Sequence, residues 1–321
     1  MKNIYLNIYK PNSKSLKKAK KSLENNNVIG LPTETVYGLA GNAYSNKSVK
    51  KIFYLKKRPA FNPLIIHFEN LNDLKNDVVV NDSFIKLYKI LCPGPITFIL
   101  KKNPNSKISK FACAKGGTIA VRFPKHPVAR KLLKILKVPL AAPSANISSK
   151  LSSTSASDVV DEFGGKIKFI LDGGRCKIGL ESTIIDLTGE PTILRQGSIT
   201  TGRIKKILKK KINFNNKLKK IISPGQLKSH YSPGIPVYMN RKTSNTDEAF
   251  ITFGKKFKNA KNTFNLSLNG NLNEAANNLY KTMRKIKKNR FSSISICKIP
   301  NRGIGNAINE RLKKASYKWK K

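Results

Sequence analysis

Carboxylates are scarce in this chain: 17 Asp and Glu stand against 63 Lys and Arg in 321 residues, a formal net charge of +46. The excess of cations draws the molecule toward polyanions. Cysteine is also rare. Cys92, Cys113, Cys176 and Cys297 form no C-x-x-C pair, and His67, His126 and His230 are scattered, which argues against a zinc site and a disulfide framework. No stretch approaches the roughly 20 apolar residues of a membrane span. The opening Met-Lys-Asn-Ile-Tyr-Leu-Asn-Ile-Tyr has no apolar run before a small-residue cleavage site. The expectation is a cytoplasmic protein with no membrane partner. Also missing are GxxxxGK[ST], GxGxxG and GxSxG, and with them a Walker phosphate loop, a dinucleotide fingerprint and a serine-nucleophile elbow.

What is present is a globular composition, 39% hydrophobic, at a length that suits about two domains. The cations run along the whole chain and form no single patch. They admit direct RNA or tRNA binding, but a drift toward Lys, Asn and Ile would produce the same charge.

Apolar strands alternating with helical spacing predict a mixed α/β domain over residues 1–200. Strands are expected at 28–31, 63–68, 96–100, 118–123, 139–142, 167–171, 183–187 and 192–194, and helices at 46–57, 83–91, 126–136 and 157–163. A Lys-rich helix over 204–211, then paired Pro-Gly steps and a change of texture, mark a linker over 201–235. Strand–helix–strand signals over 236–321 predict a smaller α/β domain.

Four clusters of polar residues fall at strand ends, where open α/β sheets hold ligands. Pro32 to Leu39 offers hydroxyls and a close backbone, or simply a helix capped by Thr33. Lys56 to Pro63, leading to His67, suits a triphosphate, or a solvated helix end whose cations face the dipole. Thr118 and Arg122 share one side of an otherwise apolar strand and are followed by Ala141 to Asn146. An arginine there needs an anion, either a substrate carboxylate or a structural partner. Gly179 to Thr183, followed by Arg195, reads as a further ligand contact or as a hairpin with a surface arginine. Hydroxyls, amides and cations with Glu34 and Glu181 as the nearby acids suit an anionic nucleotide handled by positioning and charge.

In these segments, together with Pro93 to Thr97, Leu171 to Thr183 and Pro191 to Gly197, the sequence resembles the YrdC/YciO superfamily. The likeness is to its longer, two-domain L-threonylcarbamoyl-AMP synthases, and Ser223-Pro224-Gly225 with His230 to Pro233 resembles their linker. The resemblance implies a YrdC-like twisted mixed sheet with helices, plus a Rossmann-like C-terminal domain. It implies synthesis of L-threonylcarbamoyl-AMP and pyrophosphate from L-threonine, bicarbonate and ATP, for a downstream tRNA threonylcarbamoyl transferase. Magnesium would arrive with ATP, with no metal held by protein side chains. Thr35, His67, Arg122, Ala142 and Ser182 would hold threonine. Arg58, Asn62, Thr118, Ser144, Asn146, Ser152 and Arg195 would hold ATP, with Tyr231 of the linker reaching back over the nucleotide. Lys56 and Arg58 would offset the charge that grows during reaction. Two other readings of this fold are an RNA-binding protein, which the charge favours, and a carbamoyl-phosphate-type transferase, whose companion modules are absent.

Overall fold

The computed structural model describes residues 5–113, 117–214, 223–227, 229–257 and 261–317. Among these, the first large sheet comprises β1 (Ile8–Tyr9), β2 (Ile29–Leu31), β3 (Gly38–Asn42), β4 (Ile65–His67), β5 (Ile96–Lys101), β6 (Thr118–Arg122), β7 (Leu140–Ala141), β8 (Ile170–Leu171), β9 (Thr183–Asp186), β10 (Thr192–Arg195) and β11 (Asn213–Phe214). They lie in the order β1-β8-β2-β3-β7-β4-β6-β5-β9-β10-β11. The sheet is mixed. β4 runs parallel to β6 with His67 opposite Arg122, and β5 runs antiparallel to β6 with Thr97 opposite the same arginine.

Side chains alternate across a strand, so each strand divides its residues between two faces. One face packs Leu39, Ile66, Phe98, Val121 and Ile185 against apolar stripes of helices Asn46–Lys56, Asp82–Leu91, Ala156–Phe163 and Thr201–Leu208. Asn81, Ser45, Ser155 and Thr200 start these helices by accepting from backbone N–H groups of the first turn. At the β2–β3 end, helices Ser13–Glu24 and Pro127–Leu136 cover the other face through Leu23, Leu132 and Leu133. Across β4, β6, β5 and β9 that face carries only a small apolar cluster of Ile65, Ala120, Ile99 and Ile184. Two residues along the same strands from these stand His67, Thr118, Arg122, Thr97 and Ser182, so the polar groups share that face.

The second sheet contains β12 (Val237–Tyr238), β13 (Glu248–Thr252), β14 (Thr263–Asn265) and β15 (Ser293–Ile296), in the order β12-β15-β13-β14, with every neighbour parallel. Helices Leu272–Lys288 and Gly305–Ala315 fill its core with Leu279, Met283, Ile308 and Leu312. The same cluster takes in Val36, Leu151, Leu180 and Tyr231, so the apolar interior continues across the linker into the first sheet's loops.

Within the span read as a linker, Thr201–Leu208 is a helix packed on the first sheet. Residues 215–222 and 228 of that span lie outside the described residues. No helix among the described residues is long and apolar enough to cross a membrane.

Candidate active site

The polar face of β4 and β6 is the floor of a cavity. The turn from Pro32 to Tyr37, which joins antiparallel β2 and β3, forms one wall, so Thr33 does not cap a helix. Ala142, Pro143 and Ser144 after β7 form another wall, and Glu181 and Arg195 a third. Pro224, Gly225, His230 and Tyr231 form the roof. Gly225 has φ +85, and a Cβ there would stand 3.1 Å from both the Arg195 Cδ and the Tyr231 hydroxyl. Only glycine accepts both the conformation and the crowding.

Of the residues assigned to threonine, His67, Arg122 and Ala142 line the cavity. Arg122 Nη2 donates to Glu34 Oε1 at 2.7 Å, and the Lys125 N–H donates to Glu34 Oε2 at 3.0 Å. The charge of Arg122 is therefore met inside the protein, but its buried Nε has no partner. Both ring nitrogens of His67 are also buried without partners; burial and then Arg122 push its pKa well down, which keeps the imidazole neutral. Thr35 and Ser182 stand behind the wall. Thr35 Oγ1 meets Thr33 Oγ1 at 2.9 Å, and Ser182 Oγ meets Thr97 Oγ1 at 2.7 Å while accepting from Arg195 Nη2 at 3.0 Å.

Of the residues assigned to ATP, Arg58, Ser144, Arg195 and Tyr231 line the cavity. Arg58 is aimed by Asn62, donating to its backbone oxygen at 2.9 Å and its Oδ1 at 2.6 Å. Lys56, 1% exposed, donates through Nζ to the carbonyls of Ser144 at 2.5 Å and Asn146 at 2.6 Å, so it sets the loop that carries both residues. Asn146 closes that loop from within, donating through Nδ2 to Ile147 and Lys150 carbonyls. Ser152 Oγ donates to Glu181 Oε1 at 2.5 Å. Thr118 shares the polar face with Arg122 but sits four residues away, roughly 13 Å along the strand. It is not part of the wall, and its buried Oγ1 has no partner.

The electrostatics follow from burying several cations together. Burial and then Arg58 lower the Lys56 pKa; burial and then Arg195 lower that of Arg58. Cations that raise each other's cost in this way are relieved by an anion placed among them. Glu181 differs: burial pushes its carboxyl up, but Arg311 and then Arg195 outweigh burial and hold it at about 2. Burial lowers His230 to about 3.

Both depressed values have the same sign: the unfolded chain binds protons that the folded one refuses, so stability is full above the unfolded pKa and falls with pH. The melting temperature should begin to drop below about pH 6.5 as His230 and His67 are asked to charge, and drop further below about pH 4.5 toward pH 2 through Glu181. Thermal unfolding followed from pH 7.5 to pH 3 checks this. A flat profile between pH 6.5 and pH 4 would contradict it.

The sequence reading passed over Glu34, Glu181 and Thr33 as site residues. Glu34 and Glu181 were its nearby acids, and the need of a buried Arg122 for a counter-charge was a signal for Glu34. Arg195, read as a surface residue in one alternative, is 4% exposed.

A helix-backed mixed sheet whose open polar face gathers cations, hydroxyls and a neutral histidine defines a nucleotide-handling transferase. Comparison with known proteins is specific. The family described as telomere recombination matches residues 21–197, and the threonylcarbamoyl-AMP synthase C-terminal domain matches residues 199–316. A threonylcarbamoyl-AMP synthase of Pyrococcus abyssi is 37% identical over 90% of this chain and 90% of its own length. One from Bacillus subtilis is 33% identical over 95% and 94%. The crystal structure of P. abyssi Sua5 complexed with L-threonine superposes with a TM-score of 0.87 at 32% identity, covering 96% of each chain. The chain belongs to the threonylcarbamoyl-AMP synthase family, enzymes of nucleotidyltransferase type.

Proposed function

We propose that this protein joins L-threonine, bicarbonate and ATP into L-threonylcarbamoyl-AMP and pyrophosphate, for a transferase that modifies tRNA adenosine to N6-threonylcarbamoyladenosine. One observation supports this reading above the others. Both His67 ring nitrogens, Arg122 Nε and the Tyr231 hydroxyl are buried without partners in the walls of one cavity. An unmet buried donor costs about 1–3 kcal/mol, so such atoms collected in one place are poised for a ligand.

Arg122 would keep Nη2 on Glu34 and offer Nε to the threonine carboxylate, with His67, Ala142, Thr35 and Ser182 shaping the rest of that pocket. Arg58, Ser144 and Arg195 would hold the nucleotide from the cavity wall, with Asn62, Asn146 and Ser152 supporting them from behind and Thr118 further along the polar face. The threonine amine takes up bicarbonate with loss of water, giving a carbamate. A carbamate oxygen then bonds to the α-phosphorus in line as the bond to the β-phosphate oxygen breaks and pyrophosphate leaves. Lys56 and Arg58 offset the charge that grows on the phosphates. Magnesium would ride on the phosphates of ATP: Glu34 is engaged by Arg122 and Glu181 by Arg311, a donor set that suits an ion brought by the nucleotide.

With Tyr231 down, the cavity is only about 30 Å³. His230 and Tyr231 of the roof would move aside as substrates enter, and their return would shield the labile carbamate from water. Pyrophosphate release from ATP is expected only when L-threonine and bicarbonate are both present. Release from ATP without threonine would overturn the reading.

A further inference from the structure

Arg311 lies on helix Gly305–Ala315 of the second domain, 130 residues after Glu181, yet its side chain is 1% exposed beside the cavity. Its Nε donates to Glu181 Oε2 at 2.8 Å, and its guanidinium stands 5.1 Å from the centre of the Tyr231 ring. Glu181 also accepts from Ser152, and from Tyr280 at 3.1 Å to either oxygen. Among the described residues, every hydrogen bond to this carboxylate thus comes from a residue other than Arg195. No ion pair joins Glu181 to Arg195 among the described residues, although the two are near enough for each to shift the other's pKa. Among the described residues Arg195 donates only to Ser182, through Nε to its carbonyl and Nη2 to its hydroxyl, both at 3.0 Å.

We infer that Arg311 is a positioning residue that holds Glu181 away from Arg195, leaving the Arg195 charge free for an anionic phosphate, and braces the Tyr231 ring over it. This rests on the function proposed above. The physical logic is competition. A lone buried carboxylate beside several cations will pair with whichever guanidinium it can reach. Arg311 stands outside the cavity lining; its Nη1 lies 3.4 Å from Glu310 on the same helix, and among the described residues neither Nη1 nor Nη2 makes a hydrogen bond. Remove it, and Glu181 turns to Arg195 and occupies the phosphate's place. The second domain thereby completes the nucleotide site without itself touching the nucleotide.

The test is ATP binding by calorimetry on the full-length chain, with KM for ATP and for threonine measured alongside. For Arg311→Gln, the ATP Kd and KM should rise about tenfold or more, on the scale of breaking a buried charge pair, while the threonine KM moves little. The double variant Glu181→Gln/Arg311→Gln, which removes both members of the buried pair, should recover ATP affinity to within about threefold of wild type. Arg311→Lys should lie between. A purely structural role predicts the opposite order, with the double variant no better than the single and both KM values rising together, and would overturn the inference. So would unchanged ATP affinity in Arg311→Gln. If Arg311→Gln fails to fold, the double variant and Arg311→Lys still decide between the two orders. Wild-type protein that bound no ATP would count against the proposed function itself.

Discussion

Replacing Lys56 by alanine should lower kcat for pyrophosphate release by about 10²- to 10³-fold, the range seen when a preorganised charge or donor is removed from a transition state. The geometry gives two reasons for so large a loss. The ammonium leaves the neighbourhood of Arg58, so less positive charge meets the phosphates. The carbonyls of Ser144 and Asn146 also lose their donor, which frees the loop that carries both residues. Arginine at the same position should not restore the rate, because a planar fork cannot reproduce two converging bonds from one nitrogen in a fully buried slot. The measurement is the steady-state rate at saturating ATP, threonine and bicarbonate. An unchanged kcat would remove Lys56 from the reaction.

Arg122→Ala should raise the threonine KM about tenfold to a hundredfold, the worth of a charged hydrogen bond to a carboxylate. By itself the substitution strands Glu34 as an unpaired buried anion, at a cost of about 3–5 kcal/mol. The cleaner variant is therefore Glu34→Gln/Arg122→Ala, with a thermal melt to establish folding. ATP affinity should stay within about threefold of wild type, since Arg122 and Arg58 belong to separate hydrogen-bond groups. Equal weakening of both substrates would show that Arg122 does not read threonine.

Much of the first sheet was legible because its strands are short apolar runs bounded by proline and glycine. The edges were not. Helix Ser13–Glu24 hides only Ser15, Ala19 and Leu23, a stripe too thin to stand out in a Lys-rich segment. β3 reads Gly-Leu-Ala-Gly-Asn, with no β-branched residue to mark it; pairing with β2 and β7 makes it a strand. The residues around the cavity were legible as clusters, because hydroxyls, amides and arginines beside glycine and proline at strand ends are costly unless used. Which group bonds to which was not. Glu34 with Arg122, and Glu181 with Arg311, are pairings between segments 88 and 130 residues apart, and local pattern carries no trace of them.

That last separation bears on how the molecule is made. A ribosome delivers the chain from its N-terminus at about 5–20 residues per second, and domains tend to fold as they emerge. The large sheet and most of its cations exist well before residue 311 does. During that interval Glu181 has only Ser152 of its three eventual partners outside the second domain, Tyr280 and Arg311 being still to come. On the inference above, a nascent chain would hold its acid against Arg195 and its tyrosine roof unsupported, and would bind ATP more weakly than the finished protein. The nucleotide site would reach its final form late in synthesis, when the helices that carry Tyr280 and Arg311 dock.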